Sequence, residues 1–255
     1  MRPASLPPGG PRPGCGVALG QTVQHLNLGG GFAIPDLRGA AHAPQDELFL
    51  AEADPDAVAE VVVPAIQAAL GQQVELLFEP GRSLVGEAAV LLARVEGAKH
   101  RAGRDWLILD AGYNVLIESL ANKWYYHAVT ANRLDESGQA AFRLVGPLCD
   151  SGDAFHDVEG EALLQSLLAA GTALAGQRAV LEKALLRLPP ERRLAAGTGV
   201  GDLIAFLDVG AYSYDQLTAN NGRLRPEVGL LGPDGGYELM RRRDSLPDLL
   251  FNELL

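Results

Sequence analysis

The sequence is poor in cysteine, in lysine and in net positive charge, and it has no long hydrophobic run. Two cysteines, Cys15 and Cys149, are too few for a disulfide framework, so a reducing cytoplasm is the expected location. Lysine and arginine together number 21 against 32 acidic residues, and the resulting net charge of −11 argues against nucleic-acid and anionic-membrane partners. Because no stretch approaches the ~18 apolar residues of a membrane span, and no signal-peptide core is visible, we expect neither a spanning nor a targeting segment.

The composition that remains is that of an ordinary globular protein. Hydrophobic residues make up 47% of the chain and charged residues 21%, which favours a buried core over a wholly disordered chain. Residues 1–20 are rich in proline and glycine without hydrophobic periodicity, and they are predicted to form a disordered leader.

Two short apolar runs predict a pair of parallel strands. A short, partly apolar run lies at residues 25–28 and a second at residues 74–78, and a loop signal follows each of them. Between them, residues 57–70 show helical spacing after a proline-containing start signal, with Pro64 expected to kink or break the helix. This order of strand, helix and strand is one βαβ unit.

The rest of the chain predicts a β-domain with a helical insertion. The helical spacing of residues 158–188 places the insertion at about 157–195, and residues 246–255 are apolar enough for a docking helix. The β-rich segments favour an antiparallel sandwich or barrel and comprise residues 84–95, 106–110, 141–148, 203–209 and 227–231.

The loops after the two parallel strands contain the first candidate binding residues. Gly29-Gly30-Gly31 would let successive backbone N–H groups point at one anion, although such a triplet can also be a simple tight turn. In Glu79-Pro80-Gly81-Arg82, the arginine can hold a phosphate or a carboxylate with its planar fork. Consecutive strand ends of β/α barrels often share a phosphate site.

Five ordered segments resemble a known family. LNLGGGF, ELLFEPGR, GPLCDSGDAF, GDLIAFLDVGAYS and NNGRLRPE are similar to the C-terminal portion of the fold-type III pyridoxal-phosphate-dependent decarboxylases, the group of ornithine, diaminopimelate and arginine decarboxylases. The resemblance covers roughly residues 22–255. It implies an α/β plus β fold, in which residues 21–83 are the remnant (last two strands) of a PLP-binding β/α barrel and residues 84–255 are the C-terminal β-domain with its helical insertion.

The resemblance also implies the cofactor, pyridoxal 5'-phosphate, and the residues that bind it. Glu79 would face the pyridinium nitrogen and keep it protonated, which strengthens the ring as an electron sink. Tyr212 would contact the cofactor, with a core tyrosine as the equally weighted alternative. The phosphate would be held by Gly29, Gly30, Gly31, Gly81 and Arg82.

Cys149 and Asp150 match the family's pair of a cysteine and an acid, which is contributed across a homodimer interface. The resemblance implies that Cys149 returns a proton to the carbon that has lost CO₂ and that Asp150 contacts the amino-acid substrate. A small buried hydrophobe is the alternative for Cys149. A solvated loop is the alternative for Asp150, and Asp153 is assigned to such a loop.

Two departures from the family pattern affect substrate and activity. Glu118 and Asn122 stand where diaminopimelate decarboxylases have an Arg and a Tyr that grip the distal carboxylate. If Glu118 is not simply solvated, it favours a substrate with a cationic tail, such as ornithine or lysine. The lysines are Lys99, Lys123 and Lys183, and none lies in the motif of the lysine that attaches the cofactor.

We therefore expect an incomplete chain, truncated or split, that is inactive alone. The alternative is a non-catalytic homologue that pairs with a full-length decarboxylase. Racemisation, a third possibility on the same fold, is disfavoured by Cys149-Asp150. The five histidines show no metal-ligand spacing, so no metal site is predicted.

Overall fold

The computed structural model describes residues 23–32, 34, 55–71, 73–170 and 176–253. The predicted leader, residues 1–20, lies outside the described residues. The chain divides into two compact units, one of residues 1–35 and 51–84 and one of residues 36–50 and 85–255. Within the described residues, no helix has the length and apolar character needed to cross a membrane.

The first unit contains the predicted βαβ arrangement. Strand β1 (His25–Asn27) pairs in parallel with β2 (Glu75–Leu77), and helix α1 (Pro55–Leu70) connects them. Pro64 was expected to kink or break this helix; a break does not occur, because the helix continues through Pro64, and a kink stays a prediction. Pro64 and Glu60 are both exposed, so water can satisfy the Glu60 carbonyl that the missing proline N–H leaves without its helical donor.

The second unit is built on a six-stranded, mostly antiparallel sheet. The strands are β3 (Leu91–Arg101), β4 (Arg104–Leu109), β5 (Ala128–Thr130), β6 (Gln139–Val145), β7 (Arg192–Ala195) and β8 (Leu203–Phe206). Their order across the sheet is β5-β8-β3-β4-β6-β7, with β4 and β6 as the parallel pair. Buried residues of the sheet form an apolar core that includes Val95, Leu107, Ile204 and Phe206.

The predicted strand at residues 84–95 begins later than expected. Helix α2 (Arg82–Val85) and a 3₁₀ turn (Gly86–Ala88) precede β3. The turn is held by a neighbouring loop, since the N–H of Gly210 donates to the carbonyl of Gly86 at 2.9 Å. Backbone groups that bond to a loop cannot enter the ladder of the sheet, and this sets the start of the strand.

The helical insertion is shorter than predicted. Helix α3 (Ile117–Ala121) lies between β4 and β5, and the insertion itself consists of α4 (Val158–Ala170) and α5 (Arg178–Leu185). The last four residues of the expected insertion form β7, which pairs with β6. A separate hairpin, β9 (Val228–Leu231) with β10 (Tyr237–Arg241), precedes α6 (Leu246–Leu249), which is all that forms of the predicted terminal helix within the described residues.

His156 lies at the base of the insertion in a buried cationic environment. Its Nε2 lies 3.3 Å from Nη1 of Arg143, and Arg143 also pairs with Glu161 of α4. Burial and then the positive charges of Arg143, Arg192 and Arg104 lower the pKa of His156 from 6.5 to about 4. The folded chain therefore holds this histidine neutral at pH values where the unfolded chain protonates it.

This difference predicts an acid-sensitive contribution to stability. The contribution is complete above the unfolded pKa of 6.5 and is lost as the pH falls toward 4, amounting to about 3 kcal/mol for the full shift. Urea unfolding at pH 7 and pH 4.5 should show a smaller loss in His156→Gln than in the unsubstituted chain. His100→Gln, at an exposed histidine, is the matched control. Equal losses in all three proteins would contradict the prediction.

Candidate functional site

The glycine loop of the first unit is tied to the end of the neighbouring strand. The N–H of Glu79 donates to the carbonyl of Gly29 at 2.8 Å, and Nδ2 of Asn27 donates to Oε1 of Glu79 at 2.5 Å. Oδ1 of Asn27 accepts from the N–H of Gly29 at 2.7 Å. Asn27 therefore joins the two predicted phosphate-loop segments, a role that the sequence pattern did not reveal.

Each glycine of the triplet has its own reason to lack a side chain. Gly29 and Gly31 have positive φ angles of 72° and 85°, which L side chains rarely adopt. A Cβ at Gly30 would lie 2.2 Å from the backbone oxygen of Glu79, so only glycine allows this approach. Among the described residues, no neighbouring atom lies within 4 Å of the position that a Cβ would take at Gly29 or Gly31. Glycine loops of this kind can bind a phosphate group through backbone N–H groups, although the N–H of Gly29 itself donates to Asn27. The assignment of the three glycines to a cofactor phosphate stays a prediction.

Gly81 and Arg82 continue from this strand end into α2. The carbonyl of Gly81 accepts from the N–H of Leu84 at 3.0 Å, which closes the turn after Pro80. Arg82 is half-buried, whereas Glu79 is exposed. The assignments of Arg82 to a phosphate or carboxylate and of Glu79 to the pyridinium nitrogen stay predictions.

In the second unit, two of the sequence motifs meet at Cys149. The N–H of Cys149 donates to Oδ1 of Asn221 at 2.8 Å, and Nη2 of Arg223 donates to the carbonyl of Pro147 at 3.0 Å. These bonds join GPLCDSGD to NNGRLRPE. The Cys149 thiol is free and exposed, so the alternative of a buried hydrophobe is wrong.

A tyrosine that sequence reasoning missed lies against Asp150. The hydroxyl of Tyr113 donates to Oδ2 of Asp150 at 3.1 Å and accepts from Nδ2 of Asn220 at 2.6 Å. Burial, and then the carboxylate of Asp150, raise the pKa of Tyr113, which holds the hydroxyl in its protonated, donating form. Tyr113 follows β4 in the segment DAGYN, which lies outside the five segments that carry the family resemblance.

Asp153 is buried rather than solvated, which corrects the expectation from the sequence. It is 4% exposed and accepts from the N–H groups of Tyr113 at 2.9 Å and Leu148 at 2.7 Å. Burial raises its pKa, although both N–H groups act in the opposite direction. A turn rich in Asp, Ser and Gly reads as a surface loop, and here the carboxylate points inward because two backbone donors replace water.

Tyr212 is not a core residue. Its side chain is 46% exposed and its φ is +58°, in the left-handed region that favours glycine. Two residues earlier, a Cβ at Gly210 would lie 1.7 Å from the backbone oxygen of Val85, so only glycine allows this close approach of the two backbones. The core-tyrosine alternative is therefore wrong, and contact with the cofactor stays a prediction.

Glu118 lies in the first turn of α3 and not at a strand end. Its Oε1 accepts from Nδ2 of Asn122 at 2.9 Å, so the two residues that depart from the diaminopimelate pattern bond to each other. Glu118 is half-buried. The pair presents an acid and an amide on one helix, and it presents no cation that could bind a second carboxylate.

Lys123 and Lys99 make defined contacts in the second unit. Nζ of Lys123 lies 3.0 Å from Glu159 of α4 and its side chain is only 10% exposed, while Lys99 lies over the ring of Trp106. Among the described residues, no group of three His, Cys, Asp or Glu side chains has the arrangement of a metal site.

Comparison with known proteins gives the family of the chain. Residues 32–175 match the family model "Pyridoxal-dependent decarboxylase, C-terminal sheet domain". The chain is similar to the diaminopimelate decarboxylases of Archaeoglobus fulgidus (29% identity, 93% of the chain and 46% of the relative) and Streptomyces coelicolor (32%, 92% and 46%). A crystal structure of a diaminopimelate decarboxylase matches with a TM-score of 0.70 and 27% identity over 94% of the chain and 49% of that structure. The chain thus spans about half the length of these relatives.

Proposed function

Because the chain belongs to the pyridoxal-dependent decarboxylases of the ornithine, diaminopimelate and arginine group, through their C-terminal sheet domain, we propose that it is part of an enzyme that removes CO₂ from an α-amino acid. The predicted fold class, α/β plus β, is confirmed by the βαβ unit, the six-stranded sheet and the structural match. The predicted cofactor is confirmed at the level of the family.

The observation that carries the proposal is the glycine loop at the strand end. Gly30 lies close to the Glu79 backbone, Gly29 and Gly31 have positive φ, and the Glu79 carboxylate accepts from Asn27, so the loop is a glycine turn without side chains beside a carboxylate. We assign Gly29, Gly30, Gly31, Gly81 and Arg82 to the cofactor phosphate and Glu79 to its ring nitrogen. Pyridoxal phosphate, when bound, supplies the electron sink for the bond that breaks on loss of CO₂.

In the second unit, Cys149 and Asp150 are assigned to the reacting part of the substrate. Cys149 is exposed and its backbone is held by Asn221, so its thiol can return a proton to the carbon that has lost CO₂. Asp150, oriented by Tyr113, is an acceptor for the substrate amine. Tyr212 is assigned to the cofactor. In a homodimer, or a pair with another decarboxylase subunit, this loop would serve the partner's cofactor.

We further propose a substrate with a cationic tail. Glu118 and Asn122 offer an acid and an amide at the positions where a second carboxylate would need a cation. Ornithine and lysine fit this pair better than diaminopimelate. A cytoplasmic location stays a prediction.

Adding the part of a relative that the chain does not match tests the proposed function. The chain alone should release no CO₂, because none of Lys99, Lys123 and Lys183 lies in the motif that attaches the cofactor, and Lys123 is already paired with Glu159. Co-expression with the part of the Archaeoglobus fulgidus diaminopimelate decarboxylase that the chain does not match would give a two-fragment enzyme. Its release of labelled CO₂ from ornithine or lysine should exceed that of either fragment by about tenfold or more, a change of ~1.4 kcal/mol in the barrier.

The controls distinguish the alternatives. Diaminopimelate as the best substrate would contradict the cationic-tail assignment while leaving the decarboxylase intact. CO₂ release by the chain alone would contradict the expectation that none of its three lysines attaches the cofactor. A two-fragment complex that binds pyridoxal phosphate and releases no CO₂ from any of the three amino acids would favour the non-catalytic homologue.

A further inference from the structure

The buried carboxylate of Asp153 connects the loop that carries Cys149 to the loop that carries Tyr113. Its Oδ2 accepts from the N–H of Leu148, the residue directly before Cys149, and its Oδ1 accepts from the N–H of Tyr113, whose hydroxyl contacts Asp150. Its own backbone carbonyl accepts from the N–H of Gly146 at 2.9 Å. One residue therefore binds both sides of the candidate site.

Two glycines lie directly against the carboxylate of Asp153. A Cβ at Gly112 would lie 2.2 Å from Oδ1, and a Cβ at Gly146 would lie 2.2 Å from Oδ2. Two glycines, one from each loop, thus allow the backbone to close around the carboxylate. Hydrogen bonds from N–H groups to a charged acceptor are stronger than those to a neutral one, so the carboxylate is a more effective brace than an amide.

From this geometry we propose that Asp153 is the positioning residue of the Cys149–Asp150 loop. It contacts neither substrate nor cofactor in this assignment, and it acts by fixing the backbone from which Cys149 projects and the tyrosine that orients Asp150. The inference rests on the proposed function only in giving Cys149 and Asp150 a chemical task. The bracing itself is a property of the folded chain.

Asp157 offers a matched control in the same unit. It is 3% exposed and, like Asp153, accepts from two backbone N–H groups, those of Gly160 at 3.0 Å and Arg187 at 2.9 Å. Gly160 lies in α4 and Arg187 lies two residues after the end of α5, so neither donor belongs to the Cys149 loop. Asp153→Asn and Asp157→Asn therefore remove the same kind of interaction from two different places.

Amide hydrogen exchange of the full chain without cofactor tests the proposal. In Asp153→Asn the protection factor of the Cys149 amide should fall about tenfold to 100-fold, although its own acceptor, Asn221, is unchanged. In Asp157→Asn it should stay within about twofold of the unsubstituted chain, while the amides of Gly160 and Arg187 lose protection. Unchanged protection at Cys149 in a folded Asp153→Asn would overturn the proposal, as would an equal loss in both variants.

A titration of the unsubstituted chain gives a second measurement if Asp153→Asn does not fold. The amide proton shifts of Tyr113 and Leu148 should titrate with one midpoint that lies above the ordinary pKa of an aspartate. The protection of the Cys149 amide should fall as the pH is lowered through the same midpoint. Burial is the main cause of the raised pKa of Asp153, and the charges of Asp150, which raises it, and Arg223, which lowers it, also contribute to this midpoint. Protection at Cys149 that is constant across this midpoint would overturn the proposal. Failure of the decarboxylase assignment would leave these exchange results unchanged.

Discussion

Cys149→Ala in the two-fragment enzyme should slow turnover to the amine by about 10²–10⁴-fold, the usual range for loss of a positioned proton donor. The thiol is exposed at the end of a loop whose backbone is held by Asn221, so its removal deletes a reactive group without opening a cavity. Affinities for pyridoxal phosphate and for the amino acid should change little, because the thiol acts only after CO₂ has left. Stopped-flow release of CO₂ and steady-state formation of amine measure the two steps separately.

The product distribution gives a sharper readout than the rate. Without Cys149, protonation should shift from the substrate carbon to the cofactor carbon, and hydrolysis would then give pyridoxamine phosphate and an aldehyde in equal amounts. Asn221→Ala is the companion variant, since it keeps the thiol and removes only the acceptor of the Cys149 N–H. It should produce a smaller loss of the same type. Full turnover with clean amine in Cys149→Ala would assign proton return to another group, with Tyr212 the next candidate.

Local periodicity was sufficient to predict the βαβ unit. It did not predict features that depend on hydrogen bonds between segments far apart in the sequence. The parallel pairing of residues 25–27 with 75–77 follows from two apolar runs and a helix between them. The start of β3 at Leu91 does not, because it depends on bonds from the loop at Val209 and Gly210, more than 100 residues away in sequence. Strand β7 was missed for a similar reason, since Arg192 and Arg193 conceal a strand that is defined by its pairing with β6.

The same distinction holds for the candidate site. Glycines, a proline and a cysteine in fixed order are recognisable in the sequence. The resemblance that they carry was sufficient to predict the cofactor and most of the assigned residues. The residues that orient them, Asn27, Tyr113 and Asp153, are ordinary polar side chains, and each has at least one partner 40 or more positions away in the sequence. Nothing in their local sequence distinguishes an inward-facing carboxylate such as Asp153 from a solvated one. Burial and backbone donors make that distinction only in the folded chain.

Gly30→Ala in the two-fragment enzyme should lower the affinity for pyridoxal phosphate by about 100-fold, equivalent to the loss of roughly two charge-assisted hydrogen bonds. An alanine Cβ would lie 2.2 Å from the Glu79 oxygen and 3.2 Å from the Glu79 carbonyl carbon, and backbone atoms of a paired strand end cannot move aside as a flexible side chain can. The loop must therefore open, which breaks the hydrogen bond from the Glu79 N–H to the Gly29 carbonyl and moves apart the backbone groups that are assigned to the phosphate.

Gly199→Ala is the matched control, because the nearest atom to its Cβ is 4.0 Å away and its φ is not positive. Titrations with pyridoxal phosphate and with dephosphorylated pyridoxal separate the two possible causes, since loss of the phosphate site weakens only the first ligand. If both ligands weaken equally in Gly30→Ala, the loop supports the fold of the first unit and the phosphate lies elsewhere.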